Sequence, residues 1–259
     1  MTLSPTSLTH DEKGRHHQEI MERAKQKERE EARQAHIRRV LEFIPLRYRD
    51  VTWDKVEGIA EKTEQGKILR IIQKYVSSFQ KCKTEGIAMI WLGKSHTGKT
   101  LFSWLVFRAL SEAGFYCHRE TLAEFVQGLQ TPLRSRQPLT DHFKRYLSCD
   151  LLLMDDVNPE HIYVPDWNYN GRRLFYDVLN QRFERCKPTI LITNETLPNL
   201  TDFLGEKSIQ RVMGEKVVML AFNWPPFLSV ALQSNLLLKE SILNPVAIEL
   251  ENSGGLYEK

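Results

Sequence analysis

Short apolar runs and stretches with helical spacing alternate along the chain from Ile68 to Asn194. The runs "GIAMIWLG", "FYCHR", "CDLLLMDDV" and "PTILITNE" are of the kind that form buried strands. Around them, "KILRIIQKYVSSFQKC", "LFSWLVFRALSEAG", "TLAEFVQGLQ" and "RRLFYDVLNQRFERC" carry apolar residues at helical spacing, and Thr121 with Glu124 forms a helix-capping signal. Strands separated by helices build βαβ units. The pattern therefore predicts an α/β fold with a parallel sheet flanked by helices.

The N-terminal segment has a different pattern. From His10 to about Val40 it is rich in Glu, Lys, Arg, Gln and Ala, which are good helix formers, and its few apolar residues make a narrow stripe. A charged, solvated helix is predicted, and two interpretations stay open: a plain charged arm, or a helix that docks on a partner protein. Pro45 interrupts the helical pattern and predicts a domain boundary. The predicted division is a charged segment at 1–45, an α/β domain at 46–230 and a short extension at 231–259.

Composition limits the possible classes of protein but does not indicate a function. The chain has 259 residues, of which 41% are apolar and 27% charged, as in ordinary soluble globular proteins. A net charge of +3 does not by itself indicate a nucleic-acid partner. The four cysteines are scattered singly, which suggests reduced thiols. No apolar leader core and no run of roughly 18 apolar residues is visible, so a cytoplasmic protein without a membrane span is expected.

The stretch "WLGKSHTGKT" fits the phosphate-loop pattern G-x-x-x-x-G-K-[ST]. Glycines let backbone N–H groups surround phosphate oxygens, the lysine adds a positive charge, and the threonine hydroxyl can bind Mg²⁺. The motif follows a predicted strand and opens a predicted helix, whose N-terminus adds a positive field. The predicted phosphate-binding residues are Gly93, Lys94, Ser95, His96, Thr97, Gly98, Lys99 and Thr100.

Two further strands end in polar residues. "LLLMDD" ends in Asp155, a candidate Mg²⁺ ligand together with Thr100, and Asp156, a candidate general base for an attacking water. "ILITNE" brings Asn194, whose amide is a candidate contact to the γ-phosphate or to that water. Turn chemistry is the plainer interpretation of a Thr-Asn pair after a strand. The order of the three elements favours a nucleotide site.

With these elements in order, the chain resembles the AAA+ ATPases, and within them the DnaC/DnaI-like helicase loaders and the related IstB-like transposition ATPases. The segments "IPLRYRDVTWD", "LLLMDD", "KPTILITNE", "LPNLTDFLGEKSIQRVMG" and "VVMLAFNW" follow the order and approximate spacing of that group. The resemblance covers about residues 44 to 227. It implies a P-loop AAA+ core with a parallel sheet flanked by helices, preceded here by a charged helical N-terminal segment.

The resemblance also implies residue roles. ATP and Mg²⁺ would be bound by Lys99 and Thr100, with Asp155 as the second-strand metal ligand and Asn194 as the sensor residue. Arg211 in "GEKSIQRVMG" matches the arginine finger, which acts on the nucleotide of an adjacent subunit. A homo-oligomer in the form of an open ring or spiral is therefore implied. Two departures are visible: Asp156 stands where the group usually has Glu, which predicts slow ATP hydrolysis, and no arginine follows Arg211.

Loaders of this group contact single-stranded DNA through its backbone, and two stretches here combine suitable residues. Aromatic and basic side chains suit base stacking and phosphate contact, although such loops also serve as protein contacts or packed surface. The candidates are Arg134, Arg136, Lys144 and Arg145 in one stretch, and Tyr163, Trp167, Tyr169, Arg172 and Arg173 in the other.

The leading hypothesis is an ATPase that loads a replicative hexameric helicase onto single-stranded DNA during replication initiation. One alternative is an IstB-like ATPase that assembles on duplex DNA and delivers a target to a transposase. Another is a nucleotide-binding adaptor with little hydrolysis, which Asp156 and the missing C-terminal arginine favour.

Overall fold

The structure is a computed structural model, and it describes residues 10–56, 63–134, 139–162, 171–213 and 216–225. Five helices of the described chain come before the first strand. They are α1 (His10–Phe43), α2 (Leu46–Arg49), α3 (Trp53–Val56), α4 (Glu64–Ser77) and α5 (Phe79–Glu85). Thr63 caps α4, because its side chain accepts a hydrogen bond from the Gly66 amide at 3.1 Å.

Strands and helices then alternate as the sequence predicts. The remaining elements are β1 (Ala88–Gly93), α6 (Lys99–Glu112), β2 (Cys117–Thr121), α7 (Leu122–Arg134), α8 (Leu139–Ser148), β3 (Leu151–Asp155), α9 (Gly171–Glu184), β4 (Thr189–Ile192), α10 (Leu197–Leu204), α11 (Glu206–Met213) and β5 (Val217–Phe222). Thr121 and Glu124 form the predicted capping box, with reciprocal backbone hydrogen bonds of 3.2 and 2.8 Å.

The sheet has five strands in the order β2-β3-β4-β1-β5, and every neighbouring pair is parallel. The predicted parallel α/β fold is therefore confirmed. Because all strands run in one direction, their carboxyl ends meet at a single edge of the sheet, which is where ligands bind in open α/β folds. The polar residues after β1, β3 and β4 lie at that edge.

Two apolar clusters cover the two faces of the sheet. One joins α1, α4, α5 and α6 to residues such as Met89 and Trp91, and the other joins α7 to α11 to residues such as Ile90 and Leu152. Neighbouring residues of β1 thus point to opposite faces, as a strand covered by helices on both sides requires. The two clusters hold the sheet, and with it the edge at the carboxyl ends of the strands, between two packed helical layers.

The predicted helix in the N-terminal segment is present as α1, and side chains from Met21 to Gln34 are exposed. Its last turn behaves differently: Val40 is 8% exposed and Ile44, just after the helix, is 1% exposed. The Phe43 ring lies 5.5 Å from the Phe107 ring of α6. The division of the chain at residue 45 stays a prediction, and all residues after 225, including the whole predicted extension at 231–259, lie outside the described residues.

No helix among the described residues combines the length and the apolar character that crossing a bilayer requires.

Candidate functional site

The phosphate loop joins β1 to the N-terminus of α6, as its sequence predicts. Gly98 is the N-cap of α6 with a φ of 95°, a left-handed conformation that favours glycine. Gly93 has a second reason to be glycine. A Cβ atom there would lie 2.5 Å from the Phe222 carbonyl oxygen, so β5 approaches too closely for any side chain. The loop is thereby held between the sheet and the helix whose positive end faces the site.

Lys99 is buried and its ammonium turns back onto the loop. Nζ donates to the carbonyl oxygens of Gly93 at 2.6 Å and Lys94 at 2.7 Å. Burial lowers the pKa of Lys99 to about 8, while the negative charges of Asp155 and Asp156 act in the opposite direction. A buried cation bound to neutral oxygens lacks a full counter-charge, and a phosphate group would supply it.

Asp155 ends β3 and is 4% exposed. Its Oδ1 accepts a hydrogen bond from the Asp156 amide at 2.9 Å, and its Oδ2 forms an ion pair with the guanidinium of Arg119. Arg119 lies on the neighbouring strand β2 and is 7% exposed. Burial lowers the pKa of Arg119, and Asp155 opposes that shift.

Arg119 belongs to none of the motifs from which the site residues were predicted. In an alternating strand, Cys117, Arg119 and Thr121 face the same side of the sheet. An arginine between Cys117 and Thr121 in a strand of a doubly covered sheet is a signal for a buried partner, because a buried charge needs one. The sequence does not tell which carboxylate that partner is.

Asp156 and Asn194 meet beside Asp155. Asn194 Nδ2 donates to Asp156 Oδ1 at 3.2 Å, and Asn158 Nδ2 donates to the same oxygen at 2.6 Å. His161 Nδ1 lies 3.3 Å from Asp156 Oδ2. The structure therefore brings the two predicted residues into direct contact, on a carboxylate that already has several partners.

These residues line one open cavity of about 710 Å³, within the usual size range of ligand pockets. Gly98, Lys99, Thr100, Asp155, Asp156 and Asn194 all contribute to its wall. Tyr48 and Trp104 also line it, and their rings stack at 6.3 Å. Within the described part of the chain, the cavity thus combines a phosphate loop, two carboxylates, an amide and an aromatic wall.

The chain after β5 also contacts the loop. Trp224 is 8% exposed, and its Nε1 donates to the Thr97 carbonyl oxygen at 3.0 Å. Its ring lies 5.0 Å from that of Phe222. This contact fixes the loop from the side opposite to β3.

Arg211 lies on a different surface from the cavity. It is exposed at the end of α11 and contacts α9, where NH1 donates to the Tyr176 hydroxyl at 2.8 Å and to the Asn180 side-chain carbonyl. Arg172, Arg173 and Lys207 lie near the same helices. Arg211 is not among the residues that line the cavity around Lys99 and Asp155.

The predicted DNA-contact residues are only partly described. Arg172 and Arg173 are exposed in the first turn of α9, and Lys144 is exposed on α8. Arg145 lies 3.4 Å from Glu120 and donates to the Tyr146 hydroxyl at 2.7 Å. Tyr163, Trp167, Tyr169 and Arg136, and the side chain of Arg134, lie outside the described residues.

The residues of the cavity fit a nucleotide with Mg²⁺. The loop presents the end of α6 and a buried ammonium to phosphates, and Thr100 with Asp155 offers the oxygen ligands that Mg²⁺ prefers. One feature modifies that fit, because both Asp155 oxygens already have protein partners.

The strand order and the phosphate loop between β1 and α6 are those of the P-loop fold of AAA+ ATPases. The chain is 22% identical over 143 residues to the replicative helicase loader DnaC of Escherichia coli (strain K12), covering 55% of this chain and 56% of DnaC. The chain therefore matches only about half the length of this curated relative. No protein-family model matches the chain.

Solved structures show the same similarity. The crystal structure of the DnaC helicase loader aligns with a TM-score of 0.57 at 22% identity, over 68% of this chain and 99% of that chain. DnaI aligns at 0.53 and 15% identity, over 71% and 94%. AMPPCP-bound DnaA from Aquifex aeolicus aligns at 0.53 and 18% identity, over 69% and 51%. The resemblance to the DnaC/DnaI-like AAA+ group is confirmed at the level of the fold.

Proposed function

We propose that this protein is an ATPase that loads a replicative hexameric helicase onto single-stranded DNA. The observation that supports it most is the convergence of Lys99, Thr100, Asp155, Asp156 and Asn194 on one cavity, in a fold similar to that of helicase loaders. A homo-oligomer in the form of an open ring or spiral is part of the proposal, because Arg211 lies away from its own cavity.

In the proposed reaction, Lys99 and the loop amides bind the phosphates of ATP, and Thr100 and Asp155 hold Mg²⁺. Bound Mg²⁺ supplies positive charge that neutralises phosphate oxygens. Asp156 accepts a proton from the attacking water, and Asn194 orients the Asp156 carboxylate through its hydrogen bond. Arg211 of a neighbouring copy stabilises the charge that develops on the phosphates.

The exposed part of α1 is the proposed contact to the helicase. Its side chains from Met21 to Gln34 are exposed and largely charged, and they contribute no buried apolar surface to the core. ATP then acts as a switch: nucleotide binding assembles the copies, and hydrolysis loosens them. DNA contacts through basic residues such as Arg172 and Arg173 would weaken as the salt concentration rises.

Nucleotide binding is the first step to test. Replacing Lys99 with alanine removes a charged donor, and a hydrogen bond to a charged group contributes about 1.5–3 kcal/mol. We expect ATP affinity in Mg²⁺ to fall by about 10- to 100-fold in isothermal titration calorimetry. Alanine at Lys81, which is exposed on α5, is the control and should bind as the wild type. Equal affinity in wild type and Lys99→Ala would contradict the proposed site.

Helicase capture is the second step. A variant without residues 1–34 loses the exposed part of α1 but keeps the buried Val40 and Ile44. We expect it to bind ATP normally and to fail to capture the host replicative helicase in a pull-down. Capture of a transposase and stimulation by duplex DNA alone would favour the IstB-like function instead.

A nucleotide-binding adaptor is a second candidate, and the contacts of Asp156 favour it. Asp156 Oδ1 already accepts hydrogen bonds from both Asn158 and Asn194, which leaves less of the carboxylate for water. The adaptor predicts tight ATP binding without turnover, with or without single-stranded DNA. A steady release of phosphate that Arg211→Ala abolishes would exclude it.

A further inference from the structure

Arg119 is a buried cation in the wall of the nucleotide cavity. Its guanidinium forms an ion pair with Asp155 Oδ2, and its Nε donates to Ser103 Oγ at 3.0 Å. The guanidinium carbon lies 4.0 Å from the centre of the Trp104 ring, a cation–π distance. Three different groups therefore fix Arg119, and two of them belong to α6, the helix that begins at the phosphate loop.

These contacts connect the two groups proposed to hold Mg²⁺. Ser103 Oγ, which accepts from Arg119, donates to the Thr100 carbonyl oxygen at 2.8 Å. A continuous chain of bonds thus runs from Thr100 through Ser103 and Arg119 to Asp155. With Oδ2 paired to Arg119 and Oδ1 to the Asp156 amide, the carboxylate of Asp155 has a protein counter-ion before any metal ion binds.

We propose that Arg119 is a positioning residue that acts as the resident counter-ion of Asp155 and thereby reduces the dependence of nucleotide binding on Mg²⁺. The proposal rests on the nucleotide binding proposed above. The cavity is lined by three cationic side chains and three carboxylates, namely Arg47, Lys99, Arg119, Glu124, Asp155 and Asp156. These six charges balance, so a polyphosphate meets no net negative charge.

Removing the charge of Arg119 changes that balance. Three carboxylates then face two cations, and a polyphosphate meets a net negative charge unless a divalent cation neutralises it. Charges several Å apart in a partly buried site interact more strongly than in water, because the effective dielectric constant there is lower. The same change frees Asp155 Oδ2 for a metal ion, so affinity in the presence of Mg²⁺ is preserved. A purely structural role for Arg119 predicts no such difference between the two conditions.

The test measures ATP dissociation constants of the full-length protein by isothermal titration calorimetry in Mg²⁺ and in EDTA. In Arg119→Gln, we expect the ratio of the EDTA value to the Mg²⁺ value to rise about tenfold or more above that of the wild type. In Arg119→Lys, which keeps the charge, the ratio should stay near the wild-type ratio. In Arg119→Gln combined with Asp155→Asn, which removes both charges, the ratio should return towards the wild-type ratio.

Arg182 offers a matched control. It is also a buried arginine, at 0% exposure, but it donates to the carbonyl oxygens of Tyr146 and Pro188, away from the cavity. Arg182→Lys should lower the melting temperature without changing the ratio. If Arg119→Gln is too unstable to measure, the double variant and Arg119→Lys still test the proposal, since both must then keep a wild-type ratio.

The outcomes separate the two proposals. If the wild type binds ATP and Arg119→Gln changes affinity equally in Mg²⁺ and in EDTA, the counter-ion role is wrong and the nucleotide site stands. A ratio in Arg119→Lys or in the double variant far above the wild-type ratio also overturns the counter-ion role. If the wild type does not bind ATP in either condition, the proposed function fails, and the role of Arg119 fails with it.

Discussion

Burial makes the charged form of Lys99 less favourable in the folded chain than in the unfolded chain. Burial lowers its pKa from 10.5 to about 8, so between these values the unfolded chain holds one proton more than the folded chain. Stability rises with pH wherever the unfolded state binds more protons. The burial of Lys99 therefore costs stability below about pH 8, and this cost declines as the pH rises towards 10.5.

The direction of this stability change predicts how a Lys99 variant should respond to pH. Lys99→Met removes the titrating group, so the difference in free energy of unfolding between wild type and variant should shift in favour of the wild type from pH 7.5 to pH 9.5. Urea denaturation of the protein without nucleotide measures it. Lys81→Met, a change on the exposed surface of α5, should show no such shift. A difference between wild type and Lys99→Met that is constant over this range would contradict the lowered pKa.

Some residues of the site can be predicted from the sequence and others cannot. Lys99, Asp155 and Asn194 can be, because each follows a strand whose carboxyl end must reach the same edge of a parallel sheet. Arg119 and Trp224 cannot, because their partners lie 36 and 127 residues away in the sequence and depend on how the strands are ordered. A motif fixes local geometry, while these contacts arise only from packing between elements.

At the scale of elements, the end of α1 belongs to the packed layer that covers α6. His36 Nε2 hydrogen-bonds to the Ser111 carbonyl oxygen at 2.9 Å, and the Phe43 ring packs on Phe107 of α6. The sequence predicted a solvated helix, which holds for Met21 to Gln34. The sequence does not distinguish the buried last turn from the exposed part of the helix, because its few apolar residues are buried only through their contact with α6.

A substitution just after that last turn tests the packing. Ile44→Ala removes a side chain that is 1% exposed, and large-to-small changes of this kind cost about 2–5 kcal/mol of the free energy of unfolding. Ile71→Ala is a matched control, because Ile71 on α4 is 41% exposed. Chemical denaturation should show a loss for Ile71→Ala of about 1 kcal/mol or less. Equal losses in the two variants would mean that the end of α1 is not part of the core.

At the scale of the whole molecule, the fold separates the two halves of the proposed chemistry. Lys99 and Asp155 line the cavity at the carboxyl edge of the sheet, while Arg211 lies beside Tyr176 and Asn180 on another surface. Under the proposed function, a complete site needs two copies of the chain. The sequence indicated this only through the resemblance, since nothing in a single chain shows which group of a neighbouring copy Arg211 would contact.

Mixing two inactive variants tests that arrangement. Lys99→Ala weakens nucleotide binding but keeps Arg211, and Arg211→Ala keeps nucleotide binding but removes the arginine. We expect each alone to hydrolyse ATP at least about tenfold more slowly than the wild type, since arginine fingers accelerate phosphoryl transfer strongly. Mixed in equal amounts, they should be more active than either alone, because some cavities of Arg211→Ala copies then face an intact arginine. Activity that merely averages the two variants would show that Arg211 does not act between copies.

The length of α1 adds a mechanical consequence. The helix spans His10 to Phe43, its side chains from Met21 to Gln34 are exposed, and about 39 Å of it precedes the contact at His36. The attachment is to α6, whose first residues touch the phosphate loop. A tilt of about 10° at this pivot would swing the far end through about 7 Å. A small rearrangement around a bound phosphate would thus produce a large displacement at the N-terminal end of α1.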